Sequence, residues 1–324
     1  MNADGVQSEI DYHSRPEVSR SDVALFREGR RQFRGIKDGR LPGKGDKVKT
    51  NALDIGTSTH LLLLEPDVFA SNVIVWPHPK RGKNWERFRR LHKGKLILSS
   101  RDWWRVAVYG AVVRGHVRQI IASPHAQREV EVVWTMPVQQ PDGTEDEIDL
   151  RCRLDFVVLI PGEDGKPASA VIIDIKTTRE ADQEKFRWEI RDKEYWLQVA
   201  HYTEAVVHKY QIPRQRVQFI FLAIGKTDCE FVARNLFDEH GSGEHGHEQL
   251  GIAEQAVEGL ETVACKMVEI ESDDSDSAYR EWRKSVTELA YCQRTGDWSD
   301  PDEDSIHRVG NVIRSQRQKE FGLN

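Results

Sequence analysis

The sequence predicts an α/β protein: a mixed central β-sheet flanked by helices, with a helical portion at the N-terminus and extra helices at the C-terminus. Three observations carry that expectation. Residues 129–178 hold three strand-like runs separated by turn signals, "EVEVVWTMPV", "DLRCRLDFVVLI" and "AVIIDIKTT". The run "VQFIFLAI" at 217–224 is nearly all apolar, as suits a central strand covered on both faces. Helical periodicity precedes, separates and follows these runs.

In chain order, residues 1–20 read as an irregular lead-in. "SRSDVALFREGRRQFRG" reads as a helix, with Ser19 or Ser21 as N-cap and Val23, Leu25 and Phe26 on its apolar side. "LPGKGDKVKT" (41–50) is a loop. A helix ending near Pro66 and a strand at Val73–Trp76 follow. Ser100–Ile121 reads as a long helix stopped by Pro124. After the three strands, helices return over 181–210. "DCEFVARNL" (228–236) reads as a further strand, "DEHGSGEHGHEQ" as a polar loop and "LGIAEQAVEGLETVACKMVEI" as an amphipathic helix. "EWRKSVTELAYC" is the helix expected in the polar C-terminal fifth. The expected organisation is a lead-in over 1–50, a catalytic core over 51–265 and a helical extension over 266–324.

Composition narrows the function classes. With 324 residues, 38% hydrophobic and 31% charged, the chain suits one large α/β domain with extensions. No run approaches the roughly 18 apolar residues of a membrane span. The first twenty residues lack the apolar core of a secretory signal, so a cytoplasmic protein with no membrane partner is expected. Cys152, Cys229, Cys265 and Cys292 are too scattered for a zinc knuckle, an iron–sulfur cluster or a disulfide framework, and are expected as buried thiols. The net charge of −6 excludes a sequence-wide basic nucleic-acid binder. Its distribution is uneven. Residues 78–95, "HPKRGKNWERFRRLHKGK", hold eight Lys/Arg against one Glu, whereas 269–276, "EIESDDSD", hold five acids and no base.

The chemistry-bearing stretch is the strand "AVIIDIKTT". Alternation puts Asp174 and Lys176 on one face and Ile173 and Ile175 on the other. If 151–160 and 170–178 pair as an antiparallel hairpin that closes symmetrically, Asp155 stands opposite Asp174. Side chains so placed lie about 5 Å apart at Cβ. Two carboxylates that close call for a cation, and hard oxygen donors suit Mg²⁺ or Mn²⁺. Lys176, one step along, can orient a water or stabilise charge on a phosphate. Downstream, Gln198 and Tyr202 share a helix face.

Asp155, "DIKTT" and Gln198-x-x-x-Tyr202 together resemble the PD-(D/E)xK nuclease superfamily in its RecB-like branch. "YHSRPEVSRSDVALF" (12–26), "GTSTHLLLLEPDVF" (56–69) and "EVEVVW" (129–134) resemble motifs of the RecE-type (exodeoxyribonuclease VIII) phage and prophage exonucleases. The resemblance runs from about Tyr12 to Tyr202. It implies a restriction-endonuclease-like core and a Mg²⁺-dependent exonuclease, with Mn²⁺ able to substitute, acting on duplex DNA ends. By similarity, metal is held by His60, Asp155, Asp174 and the main-chain oxygen of Ile175. Lys176 is then the catalytic lysine, and Gln198 and Tyr202 support the site. Glu129 fits the family's acidic position, with Glu131 as the alternative. Relatives resect ends for recombination, usually 5′ to 3′, form ring-like homo-oligomers and work beside a single-strand annealing recombinase. Asp174 stands where many members carry Glu, and either carboxylate ligates Mg²⁺.

Read by itself, His60 before "LLLL" is a core histidine; the resemblance makes it a ligand. The rival readings are another RecB-like nuclease without an iron–sulfur cluster and a non-catalytic DNA-binding or scaffolding protein of this fold. The basic segment 78–95 suits a DNA backbone, with Trp85 and Phe88 as stacking groups. His240, His245 and His247 are expected in a flexible loop, and Trp103 and Trp104 in the core.

Overall fold

The computed structural model describes residues 15–42, 51–140, 142–163, 165–241, 246–260 and 264–300. A five-stranded mixed sheet in the order β3-β4-β5-β6-β7 organises the chain. β3 (Ala126–Gln139), β4 (Glu145–Pro161) and β5 (Pro167–Thr178) form the antiparallel meander expected from the sequence. β6 (Val217–Gly225) runs parallel to β5, and β7 (Cys265–Glu269) closes the edge antiparallel to β6. A separate parallel pair joins β1 (Val73–Trp76) to β2 (Leu96–Ser99).

The sheet separates two hydrophobic cores, as its alternating pattern requires. One face packs under α1 (Arg20–Glu28), α2 (Arg30–Lys37), α7 (Gln183–Asp192), α8 (Tyr195–Tyr210) and α11 (Ser272–Thr295). The other packs under α3 (Asn51–Leu64), α4 (Pro66–Asn72), α6 (Ser100–Ile121), α9 (Lys226–His240) and α10 (His247–Ala256). α1 begins with a capping box in which Ser19 and Asp22 satisfy each other's backbone amides. α6 is the buried centre of its layer and carries Trp103 and Trp104 inward, as expected. Gly110 on α6 lies against α3: a Cβ there would meet Leu62 Cδ2 at 2.7 Å, so a larger residue would require the Leu62 side chain to shift.

Several elements differ from the sequence expectation. Residues 226–240 form α9, not a strand. "DCEFVARNL" mimics a strand because its apolar residues are closely spaced, but the buried set Cys229, Ala233 and Leu236 has helical spacing. The stretch expected as one helix over 250–270 splits into α10 and β7. α11 starts at Ser272, a full turn or more before the expected helix, inside the acidic run. Acidic residues near a helix start complement the helix dipole, so an acidic, solvent-facing run can open a helix. All four cysteines are buried and free. No helix among the described residues is long and apolar enough to cross a membrane. Residues 242–245, which include His245, lie outside the described residues.

Candidate active site

Five of the sequence-predicted residues, His60, Asp155, Asp174, Lys176 and Gln198, meet toward the carboxyl end of β5, beside parallel β6. Open α/β sheets present their ligand sites at such strand ends. The hairpin register is the symmetric one: Phe156 pairs with Ile173 and Val157 with Ile172. One further step puts Asp155 opposite Asp174, but there the regular ladder stops. The Ile175 amide donates to Asp155 Oδ2 at 2.8 Å instead of to a backbone carbonyl. A strand residue's N–H and C=O point to the same edge. The Ile175 carbonyl therefore also faces the Asp155 side, where β4 no longer offers it a ladder partner.

Alternation on β4 breaks at this point. Cys152, Leu154 and Val157 belong to one core, whereas Phe156 belongs to the other. β3 is irregular at the matching place: Glu129 adopts a left-handed φ of 48° between Arg128, paired with Phe156, and Val130, paired with Leu154. Glu129 thus stands level with Asp155 on its other side. A left-handed conformation is costly for a residue with a side chain, and here it is held beside a carboxylate. Glu129 Oε2 binds Arg153 Nε at 3.0 Å. Glu131, its alternative from the sequence, is ion-paired to Arg15 at the surface. The left-handed residue breaks the shared facing that strict alternation implies for the two glutamates.

Asp174 is 1% exposed. Its Oδ1 accepts from Gln198 Nε2 on α8, and its Oδ2 forms an ion pair with Lys176 Nζ that lacks well-aligned hydrogen-bond geometry. Burial pushes the Asp174 carboxyl up to about 6. The Lys176 ammonium pulls it down, and neighbouring Asp155 pushes it up again. His60, near the end of α3, brings Nδ1 to 3.6 Å from Asp155 Oδ2 and is half-buried rather than enclosed in the core. Tyr202, one helical turn past Gln198, packs its ring against Phe219 at 6.4 Å, on the strand segment leading away from Asp174.

Three groups around this centre escaped the sequence reading. Lys176 Nζ lies 5.2 Å from the Tyr195 ring centroid and 6.0 Å from that of Phe221. The same Tyr195 ring has Lys193 Nζ at 5.7 Å and the Arg20 guanidinium at 5.8 Å. Beyond Lys176, Glu189 accepts from Thr178 and Lys193. Burial raises the Glu189 carboxyl, but those two donors outweigh it and hold it below its ordinary range. Lys226, at the start of α9, has its pKa lowered by burial and by Lys193. The one available signal was position: residues 176, 178 and 226 all sit at or just past the ends of parallel strands.

A family model described as the PD-(D/E)XK nuclease superfamily matches residues 17–303. The chain belongs to that superfamily. No curated protein matches it. Nucleases of the PD-(D/E)XK superfamily generally use divalent metal ions, so the donor set can be tested for fit. Among the described residues, no three His, Cys, Asp or Glu side chains stand close enough to form a ready-made cage. The donors nevertheless suit a hard cation. Asp174 Oδ2 is buried and lacks an aligned hydrogen bond, Asp155 stands opposite it, and the Lys176 ammonium is ion-paired to Asp174. A buried carboxylate so placed is better satisfied by a metal than by what surrounds it here.

Proposed function

We propose that this PD-(D/E)XK nuclease is a RecE-like, metal-dependent exodeoxyribonuclease that degrades linear duplex DNA from its ends and leaves single strands for recombination. One observation carries the reading: the fully buried Asp174 carboxylate, facing Asp155 and ion-paired to Lys176 at a strand end. His60, Asp155, Asp174 and the main-chain oxygen of Ile175 would hold Mg²⁺ or Mn²⁺. When bound, the ion supplies Lewis acidity to the scissile phosphate and lowers the pKa of a water.

The chain's own groups do the rest. Lys176, steadied over the Tyr195 and Phe221 rings, holds positive charge where the phosphate's charge develops. Gln198 fixes the Asp174 carboxylate by its hydrogen bond from α8. Glu129, level with Asp155, is the acidic residue assigned to the site in preference to Glu131. Tyr202 seats α8 against β6 through Phe219. The RecE-like reading also brings 5′ to 3′ polarity, a ring-like homo-oligomer and an annealing recombinase as partner.

Linear duplex DNA labelled at one 5′ end tests this. With Mg²⁺, the wild type is expected to release labelled mononucleotides, and Lys176→Ala to retard the DNA without cutting it. Equal cutting of closed circles would make the protein an endonuclease. Retardation without hydrolysis by the wild type would make it a binding protein.

A further inference from the structure

Within the basic segment expected to suit a DNA backbone, residues 82–91 form a helix with two dissimilar faces. α5 (Gly82–Leu91) buries none of its residues. Its Trp85 and Phe88, with His92 just beyond, recur at the i, i+3, i+7 spacing of one helix face. They collect around Trp76 at the end of β1. Trp76 lies 4.6 Å from Phe88 and 5.9 Å from Trp85 between ring centroids, and Phe88 lies 4.3 Å from His92. These rings pack on one another and so fasten the helix to the β1–β2 pair. Lys80 and Lys95 complete the fastening by donating to the backbone carbonyls of Ile97 and Ser71 at 2.7 and 2.9 Å.

On the opposite face, Lys83, Arg87 and Arg90 stand at i, i+4, i+7. All three are exposed. Lys83 and Arg87 have no partner among the described residues, and Arg90 uses only Nε, on the Glu86 carbonyl at 3.3 Å. The one acid in the segment, Glu86, is taken by Arg89. Three cations along one stripe, without counter-charges, repel one another and lower helix stability unless something anionic lies against them. From 83 to 90 the stripe covers about 10 Å of helix. Over that length one strand of B-DNA carries about three phosphates.

We infer that α5 is a backbone-gripping arm for duplex DNA, binding phosphates through Lys83, Arg87 and Arg90 without reading bases. The inference deepens the nuclease reading, since it names a second contact with the same substrate. Contacts of this kind position a protein on nucleic acid but carry no sequence information.

The test is the salt dependence of binding of a fluorescent duplex to the full chain in EDTA, where hydrolysis plays no part. Neutralising three phosphate contacts, in Lys83→Gln/Arg87→Gln/Arg90→Gln, is expected to flatten the slope of log K against log[salt] by about 2.7. A control triple with the same charge change elsewhere, Arg234→Gln/Arg280→Gln/Lys284→Gln, is expected to keep the wild-type slope. Glutamine is a good helix former and no core residue is touched, so both variants should melt with the wild type. An unchanged slope in the α5 triple overturns the inference, and so does equal flattening in the control. Lost self-association at an unchanged slope also overturns it; α5 would then face the acidic 269–276 segment of a second copy. The two readings separate cleanly. A wild type that binds with the expected slope but never hydrolyses DNA leaves the arm standing and removes the nuclease. Hydrolysis with an insensitive slope does the reverse.

Discussion

Two fully buried polar groups, His201 on α8 and Asp174 on β5 beside it, are treated in opposite ways. His201 uses both ring nitrogens: Nε2 donates to the Arg151 carbonyl at 2.9 Å, and Nδ1 accepts from Trp282 Nε1 at 3.1 Å. Burial holds it neutral, with a pKa pushed down to about 4. Asp174, held by Gln198 one turn earlier on the same helix, keeps its charge at a cost. Burial drives its pKa up to about 6, and one oxygen lacks an aligned donor. A buried polar group whose bonds are complete ties elements together, here β4, α8 and α11. One whose bonds are incomplete carries an electrostatic cost, here visible in the raised carboxyl pKa.

The sharpest way to break this contrast is to remove the Asp174 charge while keeping its shape. Asp174→Asn is expected to lower turnover by at least about 10³-fold, roughly 4 kcal/mol of transition-state stabilisation. Melting should hold or rise, because a desolvated charge disappears. Steady-state hydrolysis and thermal melting check the two halves. A variant that loses stability along with activity would make Asp174 a structural residue like His201.

The converse substitution, His201→Ala, is expected to cost roughly 3 kcal/mol of stability. It leaves the Trp282 N–H and Arg151 carbonyl unpaired and opens a cavity under Trp134, whose ring lies 5.1 Å from the imidazole. Turnover of the folded fraction should stay near wild type. The pH dependences have opposite signs. His201 has a folded pKa below its ordinary value near 6.5. Its contribution is complete above that value and falls away as pH drops toward 4, by about 3 kcal/mol in all. Asp174 has a folded pKa above its ordinary value. The stability tied to its protonated form is complete below about 4 and is lost as pH rises through about 6. Denaturation midpoints between pH 4 and 7 should show the first slope vanish in His201→Ala and the second in Asp174→Asn.

How much of this was legible beforehand follows from the range of the forces involved. The hairpin register, and with it the facing of Asp155 and Asp174, was accessible because strand alternation and turn chemistry are local. Gln198 was accessible because helical spacing links it to a motif. The role of Tyr195 was not, since nothing local says that three cations from α1, β5 and the segment before α8 converge on its ring. The left-handed Glu129 was equally hidden; only the ladder on both sides shows that one residue is out of step. The aromatic face of α5 was concealed by charge. Nothing local in eight cations over eighteen residues says that Trp76, from a different element, supplies the surface on which the helix rests.

The smallest effect sharpens the contrast within the site itself. Glu194, the N-cap of α8, is left-handed at φ 50°, and Arg20 holds that turn by donating to the Lys193 and Glu194 carbonyls at 3.1 and 2.9 Å. The turn aims Tyr195 under Lys176 at the cost of backbone strain. The geometry makes Tyr195 a positioning residue for the lysine through its ring, not its hydroxyl. Tyr195→Phe should then hydrolyse DNA within about twofold of wild type. Tyr195→Leu, which keeps the apolar bulk but loses the ring's attraction for a cation, should lose about 1 kcal/mol, near fivefold in turnover. DNA affinity in EDTA should be unchanged in both. If Phe fails as badly as Leu, the hydroxyl is what matters. If Leu matches wild type, the ring merely fills space beside a lysine held in place by Asp174 alone.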